Sequence, residues 1–232
     1  MRVALVTIGD ELLAGETVNT NAAWLGRQLA DRGVRLERVT VIHDRIDEIA
    51  TVVDDYRRRY DAVITTGGVG PTHDDMTMDA VAEAFDVELE ESQDALEWIE
   101  THHGYARDDL TEGTAKIPEG ARMIPNHEGV APGCVLANVY VLPGVPAEMK
   151  AMFGEVKAAF TGETIHVETI HAAEPESALL DRIEAVGTQF DVTIGSYPGE
   201  TVRLKLSGSN AGEVEAAAAW LRERVDRPEA KE

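Results

Sequence analysis

Three stretches of this chain have residue types and spacing suited to chemistry. In Gly67-Gly68-Val69-Gly70-Pro71-Thr72-His73-Asp74-Asp75-Met76-Thr77, three glycines within four residues follow the apolar run Ala62-Val63-Ile64-Thr65-Thr66. Glycines allow positive φ and close approach of a ligand to the backbone, and the bare N–H groups of a following helix start favour an anion. The plain alternative is a chain reversal in which Asp74 or Asp75 caps the helix. Gly9-Asp10-Glu11 closes the first apolar run, and Pro143-Gly144-Val145-Pro146 forms a second anion-ready turn before another helix. Around these turns stand the carboxylates Asp10, Glu11, Asp44, Asp74 and Asp75. Backbone donors suit phosphate, whereas carboxylates repel it unless a divalent cation such as Mg2+ or Mn2+ lies between them. A phosphorylated ligand bound through a metal therefore reconciles the two halves of the site. The other use for a carboxylate is to accept from a heterocycle N–H, as a pterin offers.

Several alternatives fall away on the same residues. No lysine-bearing phosphate loop follows the glycines, and no dinucleotide fingerprint follows the first strand. A nucleophile-elbow serine and zinc-type Cys/His spacing are also missing. His102 and His103 adjoin in sequence and so do not share a helix face, which argues against a metal pair.

The elements that must position these loops read as alternating strands and helices. Val3 to Ile8 is a continuous apolar run of the kind buried on both faces of a parallel sheet. Trp24, Leu25, Gln28 and Leu29 mark a helix capped by Asn19 or Thr20 and stopped at Gly33. Val34 to Ile42 predicts a second strand, and Asp44 fits the cap of a helix through Ile46, Ile49 and Val53. Ala62 to Thr66 is the third strand. Such a run implies right-handed crossovers and a parallel sheet. With the order 2-1-3, ligands sit at the carboxyl ends of the strands beside the first and third, where Gly9 and Gly67 meet. Further on, an acidic helix is expected from Glu88 to Glu100, short strands at Arg122-Met123-Ile124 and Cys134-Val135-Leu136, a strand at Val139 to Leu142, and a helix from Ala147 to about Phe160. After Gly162 the pattern changes to β-α-β-β-α over residues 165 to 225, with strands at 165–170, 191–194 and 202–206 and a Ser-Tyr-Pro-Gly turn. The expected domains are 1–162, 163–226 and a frayed tail, 227–232.

Composition narrows the partners. The 232 residues carry 43 acidic and 21 basic groups, a net charge of -22, and five lysines: Lys116, Lys150, Lys157, Lys205 and Lys231. That surface repels nucleic acid and anionic membrane alike. It has the character of a protein from a high-salt cytoplasm, where screening relieves self-repulsion, and any single Asp or Glu is first a solvated surface group. The one cysteine, Cys134, sits in an apolar run and precludes an internal disulfide. The chain starts without a signal-peptide pattern, and no apolar run reaches the roughly 18 to 20 residues of a membrane span. A cytoplasmic location follows as the expectation.

Four motifs, in order, carry a family resemblance over residues 2 to 150: Gly9-Asp10-Glu11-Leu12-Leu13-Ala14-Gly15 with Asn19-Thr20-Asn21, the Gly67 to Thr77 stretch, Asn126 to Gly133, and Leu142 to Met149. Together they resemble the CinA family, whose N-terminal domain belongs with the molybdopterin-binding domains of MogA, MoaB and MoeA proteins. The fold this implies is a three-layer α/β/α domain on a mostly parallel sheet, and residues 165 to about 226 resemble the small KH-like α+β domain that follows it. The resemblance implies metal-dependent hydrolysis of ADP-ribose, or a related nucleotide, to AMP and a sugar phosphate, or alternatively molybdopterin binding or biosynthesis without hydrolysis. By position it matches Asp75 and Asp44 to the two aspartates that serve adenylylation in MogA-type proteins; with the carboxylates read above, the expected catalytic set is Asp75 and Asp44 with Asp10 and Glu11 in support, and the expected metal ligands are Asp74 and Asp75. Gly9, Gly67, Gly68, Gly70, Pro71, Thr72, Asn126, Gly129, Pro143, Gly144 and Pro146 fall to ligand and phosphate. Potassium is a second candidate cofactor, and the implied assembly is a homo-oligomer. The nicotinamide mononucleotide deamidase domain of bacterial CinA proteins would lie beyond this sequence, so that activity is not carried over.

Overall fold

The computed structural model describes residues 1–232 except 71, 73, 74, 106, 227 and 229–232. The chain divides into two compact units, Met1–Gly162 and Glu163–Glu232. Most of the tail 227–232 lies outside the described residues, so its expected fraying does too.

The first unit is organised by β1 (Arg2–Ile8), β2 (Arg35–Ile42), β3 (Ala62–Thr66), β6 (Arg122–Ile124), β7 (Gly133–Leu136) and β8 (Val139–Leu142), in the sheet order β2-β1-β3-β8-β7-β6. The first four strands of that order run parallel, while β7 and β6 pair antiparallel beside β8. The order 2-1-3 reverses the direction of winding at β1, and the carboxyl ends of β1, β2, β3 and β8 share one edge.

Alternation along the strands builds the two faces. Val6, Ile8 and Val63 join a core with α3 (Ile46–Arg59) and α4 (Thr77–Phe85), through Ile49, Val53, Ala80 and Val81. Val3, Leu5, Ala62 and Ile64 join another with α2 (Thr20–Ala30) and α6 (Pro146–Val156), through Leu25, Leu29, Met149 and Phe153. The result is the expected helix-sheet-helix sandwich. Each fully buried Leu, Ile or Phe contributes about 1.5–3 kcal/mol, so the long apolar runs of β1 and β3 fix the middle of the sheet. Trp24 on α2 meets Phe153 on α6 edge to face, with ring centroids 5.6 Å apart. Strand β2, at the sheet's edge, leaves Arg35, Glu37, Arg38 and Val39 substantially open on one or both sides.

Some expectations about individual elements are corrected. The acidic helix from Glu88 is two elements: β4 (Leu89–Glu91) pairs antiparallel with β5 (Lys116–Pro118), and α5 (Gln93–His103) begins only after Ser92. The Ser92 hydroxyl accepts from the Ala95 amide at 3.2 Å, so it caps the helix and ends the strand in one residue. A single turn of 3-10 helix at 157–159 closes the segment after α6, which stops at Val156 rather than Phe160. A short helix, α1 (Asp10–Leu13), follows β1 directly.

In the second unit β9 (His166–Ala172), β10 (Thr193–Tyr197) and β11 (Val202–Gly208) form an antiparallel sheet in the order β10-β11-β9. Ile170, Leu204 and Leu206 pack with Leu179 and Val186 of α7 (Glu176–Gln189) and with Val214 and Leu221 of α8 (Ala211–Arg222). This is the expected β-α-β-β-α order, but Ser196 and Tyr197 belong to β10, so the turn starts only at Pro198. Arg182 donates to both carboxylate oxygens of Glu174 at 2.7 and 2.6 Å.

Candidate functional site

At the shared strand edge three segments of backbone close on one another. Gly67, with φ +106, lies against the end of β1: a Cβ there would stand 2.1 Å from the carbonyl oxygen of Ile8. A Cβ on Gly144 would meet the Cα of Gly67 at 3.3 Å, and the Gly67 amide donates to the Leu142 carbonyl at 3.2 Å. The ends of β1, β3 and β8 therefore meet with no side chain between them. The next residue, Gly68 (φ +61), turns the chain toward α4, where Thr77 donates its hydroxyl to the Gly67 carbonyl at 2.7 Å and its amide to the Gly68 carbonyl at 3.0 Å. Thr77 is wholly buried.

Above this backbone floor opens a crevice of about 510 Å3, lined by Ile8, Gly9, Asp10, Glu11, Asp44, Gly67, Gly68, Asp75, Met76 and Gly144. The structure thus brings together the four described carboxylates and four of the glycines singled out from the sequence, Gly9, Gly67, Gly68 and Gly144. None of these lining residues carries a positive charge. Facing the crevice, neither α4 nor α6 has a capping side chain: Met76 and Val145 hold the cap positions, and Pro146 opens α6. The Thr77 amide is taken by the Gly68 carbonyl and Pro146 has no N–H, so it is the remaining first-turn N–H groups that have no side-chain cap.

The carboxylates are fixed by different partners. Asp44 does not cap α3, where Arg45 holds the cap position without a side-chain bond; it accepts the backbone N–H of Asp10 at 3.0 Å. Asp10 in turn takes a 2.7 Å contact from Nδ1 of His43. That hydrogen bond, reinforced by one from the Asp44 backbone N–H and by the nearby positive potential of His43 and Arg45, holds the Asp10 carboxyl below its ordinary value of 3.8. Asp75 is no helix cap either: one oxygen accepts both the amide, at 3.0 Å, and the hydroxyl of Thr72, and the same oxygen stands 2.5 Å from where a Gly70 Cβ would be. A side chain at Gly70 would displace the Asp75 carboxylate from this position. Thr72, expected to cradle phosphate, instead spends its amide and hydroxyl on Asp75.

Two more of the expected ligand residues act elsewhere. Asn126 is fully buried; its Oδ1 accepts from the amides of Glu128 and Gly129 at 3.2 and 2.9 Å, and its Nδ2 donates to Ala131 O and to Glu148 at 2.9 and 2.8 Å. With every side-chain position filled, it organises the 126–131 loop rather than facing the crevice. Gly129 packs so closely on the Glu148 carboxylate that a Cβ would stand 2.5 Å from it. Pro143 is buried beneath the turn. Pro71 and Asp74 lie outside the described residues. Among the described residues no three His, Cys, Asp or Glu side chains are arranged as a metal site, and His102 and His103 contact Trp98 O and Asn126 O instead of each other.

Sequence reasoning assigns no role to His43, and names Asn21 only as a member of the opening motif. His43 is traceable in hindsight, because β1 and β2 are in register with Ile8 opposite Ile42, which sets the residues after each strand side by side. The motif places Asn21 without a partner in view; its Nδ2 reaches the Gly144 carbonyl at 2.7 Å across 123 positions.

With this geometry in view, comparison with known proteins is decisive for the family. The family described as "Probable molybdopterin binding domain" matches residues 4–161. The chain belongs to that family. The family described as "FAD synthase, middle domain" matches residues 164–230, over the small α+β unit. A protein of Thermococcus kodakarensis is 35% identical over 99% of both chains. A CinA-like protein of Gemmatimonas aurantiaca is 36% identical over 98% of this chain and 59% of its own. Among solved structures, a CinA protein of unknown function from Thermoplasma acidophilum is 37% identical with a TM-score of 0.63, over 69% of this chain and 99% of that one. For this member of the molybdopterin-binding-domain family, the crevice at the switch point is the candidate site. No helix among the described residues is long and apolar enough to cross a membrane.

Proposed function

We propose that the crevice binds a phosphate-bearing heterocycle, and that in the presence of a divalent cation it hydrolyses the pyrophosphate of ADP-ribose or a related nucleotide to AMP and a sugar phosphate. One observation carries this reading: Asp10, Glu11, Asp44 and Asp75 share a single cavity with the backbone floor at Gly67, Gly68 and Gly144. The described residues do not form a preassembled metal site, but their all-oxygen donor set fits a hard cation that arrives with the phosphates. Asp10, Asp44 and Asp75 would hold it, where it would offset charge and polarise a phosphoryl oxygen. The chain's own part is positional. Glycine backbone admits the phosphates closely, the open starts of α4 and α6 favour their charge, and Asp75, braced by Thr72, orients the attacking water. That water's oxygen bonds to phosphorus as the P–O bond to the bridging oxygen breaks, and its proton passes to solvent or a carboxylate.

The family match favours a second reading, molybdopterin binding or a step of its biosynthesis without nucleotide hydrolysis. One experiment separates them. Purified protein is incubated with ADP-ribose across a metal panel with and without high potassium, and AMP is followed. Metal-dependent AMP release that disappears with chelator and in Asp75→Asn supports hydrolysis. No AMP under any condition, with saturable binding of a pterin, selects the second reading.

A further inference from the structure

A small pocket of about 90 Å3 adjoins the crevice, between the loop leading into α2 and the start of α6. Its walls are mixed: Ile8, Leu12, Val18 and Pro146 are apolar, while Glu11, Asn19, Asn21 and three threonines are polar. Val18, 79% exposed, and Val145, 53% exposed, leave apolar surface near its mouth. Inside, Asn21 is oriented without ambiguity. Its amide group lies 2.7 Å from the Gly144 carbonyl, which can only accept, so the contacting atom must be Nδ2. Oδ1 is thereby turned the other way, where it is buried and has no hydrogen-bond partner. A buried acceptor without a donor costs stability and calls for a partner. The residue on which it pivots, Gly144, also lines the crevice.

We infer that this pocket receives the edge of the ligand's heterocycle and that Asn21 Oδ1 accepts a hydrogen bond from its exocyclic amino group. The inference rests on the phosphate-bearing heterocycle proposed above and adds a chemical requirement: an amino-substituted ring, flanked by apolar side chains, with its phosphates over Gly67 and Gly144. Adenine and pterin both carry such a group. Because the Asn21–Gly144 bond couples the pocket wall to the crevice floor, base recognition and phosphate placement act through one side chain. Asn21 is a specificity-determining residue in this scheme and takes no part in bond breaking.

The test is a ratio of affinities by calorimetry, in wild type and Asn21→Ala. AMP is compared with purine riboside 5′-monophosphate, which lacks only the amino group; 6-carboxypterin is compared with 6-carboxylumazine, which has a carbonyl in place of the amine. Wild type is expected to prefer the amino member of at least one pair about tenfold or more, since a site built to pair with a group discriminates against the ligand that lacks it. Asn21→Ala is expected to bring that ratio close to one. A purely structural role for Asn21 would weaken both members of a pair equally, leaving the ratio unchanged, and would overturn the inference, as would equal binding of both members by wild type. Failure of wild type to bind either nucleotide, with the pterin ratio intact, removes the nucleotide reading but keeps the role of Asn21. Binding of none of the four compounds overturns both.

Discussion

Asp44 accepts the backbone N–H of Asp10 at 3.0 Å, and so joins the loop after β2 to the loop after β1. Removing the acceptor in Asp44→Ala frees the first turn of α1 while leaving the sheet below untouched. A hydrogen bond of this kind contributes about 1–2 kcal/mol, so the melting temperature is expected to fall by only a few degrees. Ligand affinity or turnover should fall by about tenfold or more, because the crevice wall loses its anchor. Asp44→Asn, which keeps an acceptor, should retain most of the stability. A loss of stability large enough to explain the loss of binding would contradict this assignment.

The Asp10–His43 contact makes a titration prediction. The Asp10 carboxyl sits below 3.8 in the folded state, so its stabilising contribution is present above 3.8 and disappears as pH falls through the lower, folded value. In His43→Ala, carbon-13 NMR of the Asp10 carboxyl should show its midpoint moving up toward 3.8. An unmoved midpoint would mean that His43 is not the group responsible.

Gly67→Ala should be among the most damaging single substitutions in the first unit. Its φ of +106 and the 2.1 Å approach to Ile8 O leave no room for a methyl group. Backbone strain of this kind costs about 1–3 kcal/mol before the clash is counted. Urea unfolding is expected to show a loss of about 3 kcal/mol or more, whereas Gly154→Ala, on the open face of α6 with nothing near its Cβ position, should be neutral or slightly stabilising.

Cys134 reports on opening of the first unit. Its thiol is wholly buried and pushed up to about 12 by desolvation. At pH 8 a thiol reagent should react at the rate of unfolding and become fast in denaturant. Prompt reaction of the native protein would show that the β6–β7–β8 corner is open.

The net charge of -22 also has a measurable consequence. If self-repulsion limits stability, molar KCl should raise the melting temperature through screening. A flat response between low and molar salt would end the high-salt interpretation.

Much of this architecture was legible because it depends on long apolar runs. Val3 to Ile8 and Ala62 to Thr66 can be buried on both faces only in the middle of a sheet, which fixes the switch point and brings Gly9 and Gly67 together. The three-residue strand β4 was hidden inside an acidic helical pattern, because pairing with Lys116–Pro118 overrides the local preference. Side-chain roles were less legible than positions. Asp44 looks like a cap in sequence, yet the helix starts one residue later and the carboxylate turns to Asp10. Asn126 stands in a motif shared with a ligand-binding family, but its side-chain bonds all close within its own loop and onto Glu148. Contacts such as Asn21 to Gly144 depend on where two distant loops meet, and no spacing encodes them.

The floor where Ile8, Gly67 and Gly144 meet is main chain only, and main-chain groups cannot be exchanged by substitution. On the proposed function, that main-chain floor is what would carry the phosphates. Selectivity in this chain would then have to come from side chains around that floor, such as Asn21 and His43, so that anchoring and choice of ligand are divided between main chain and side chain.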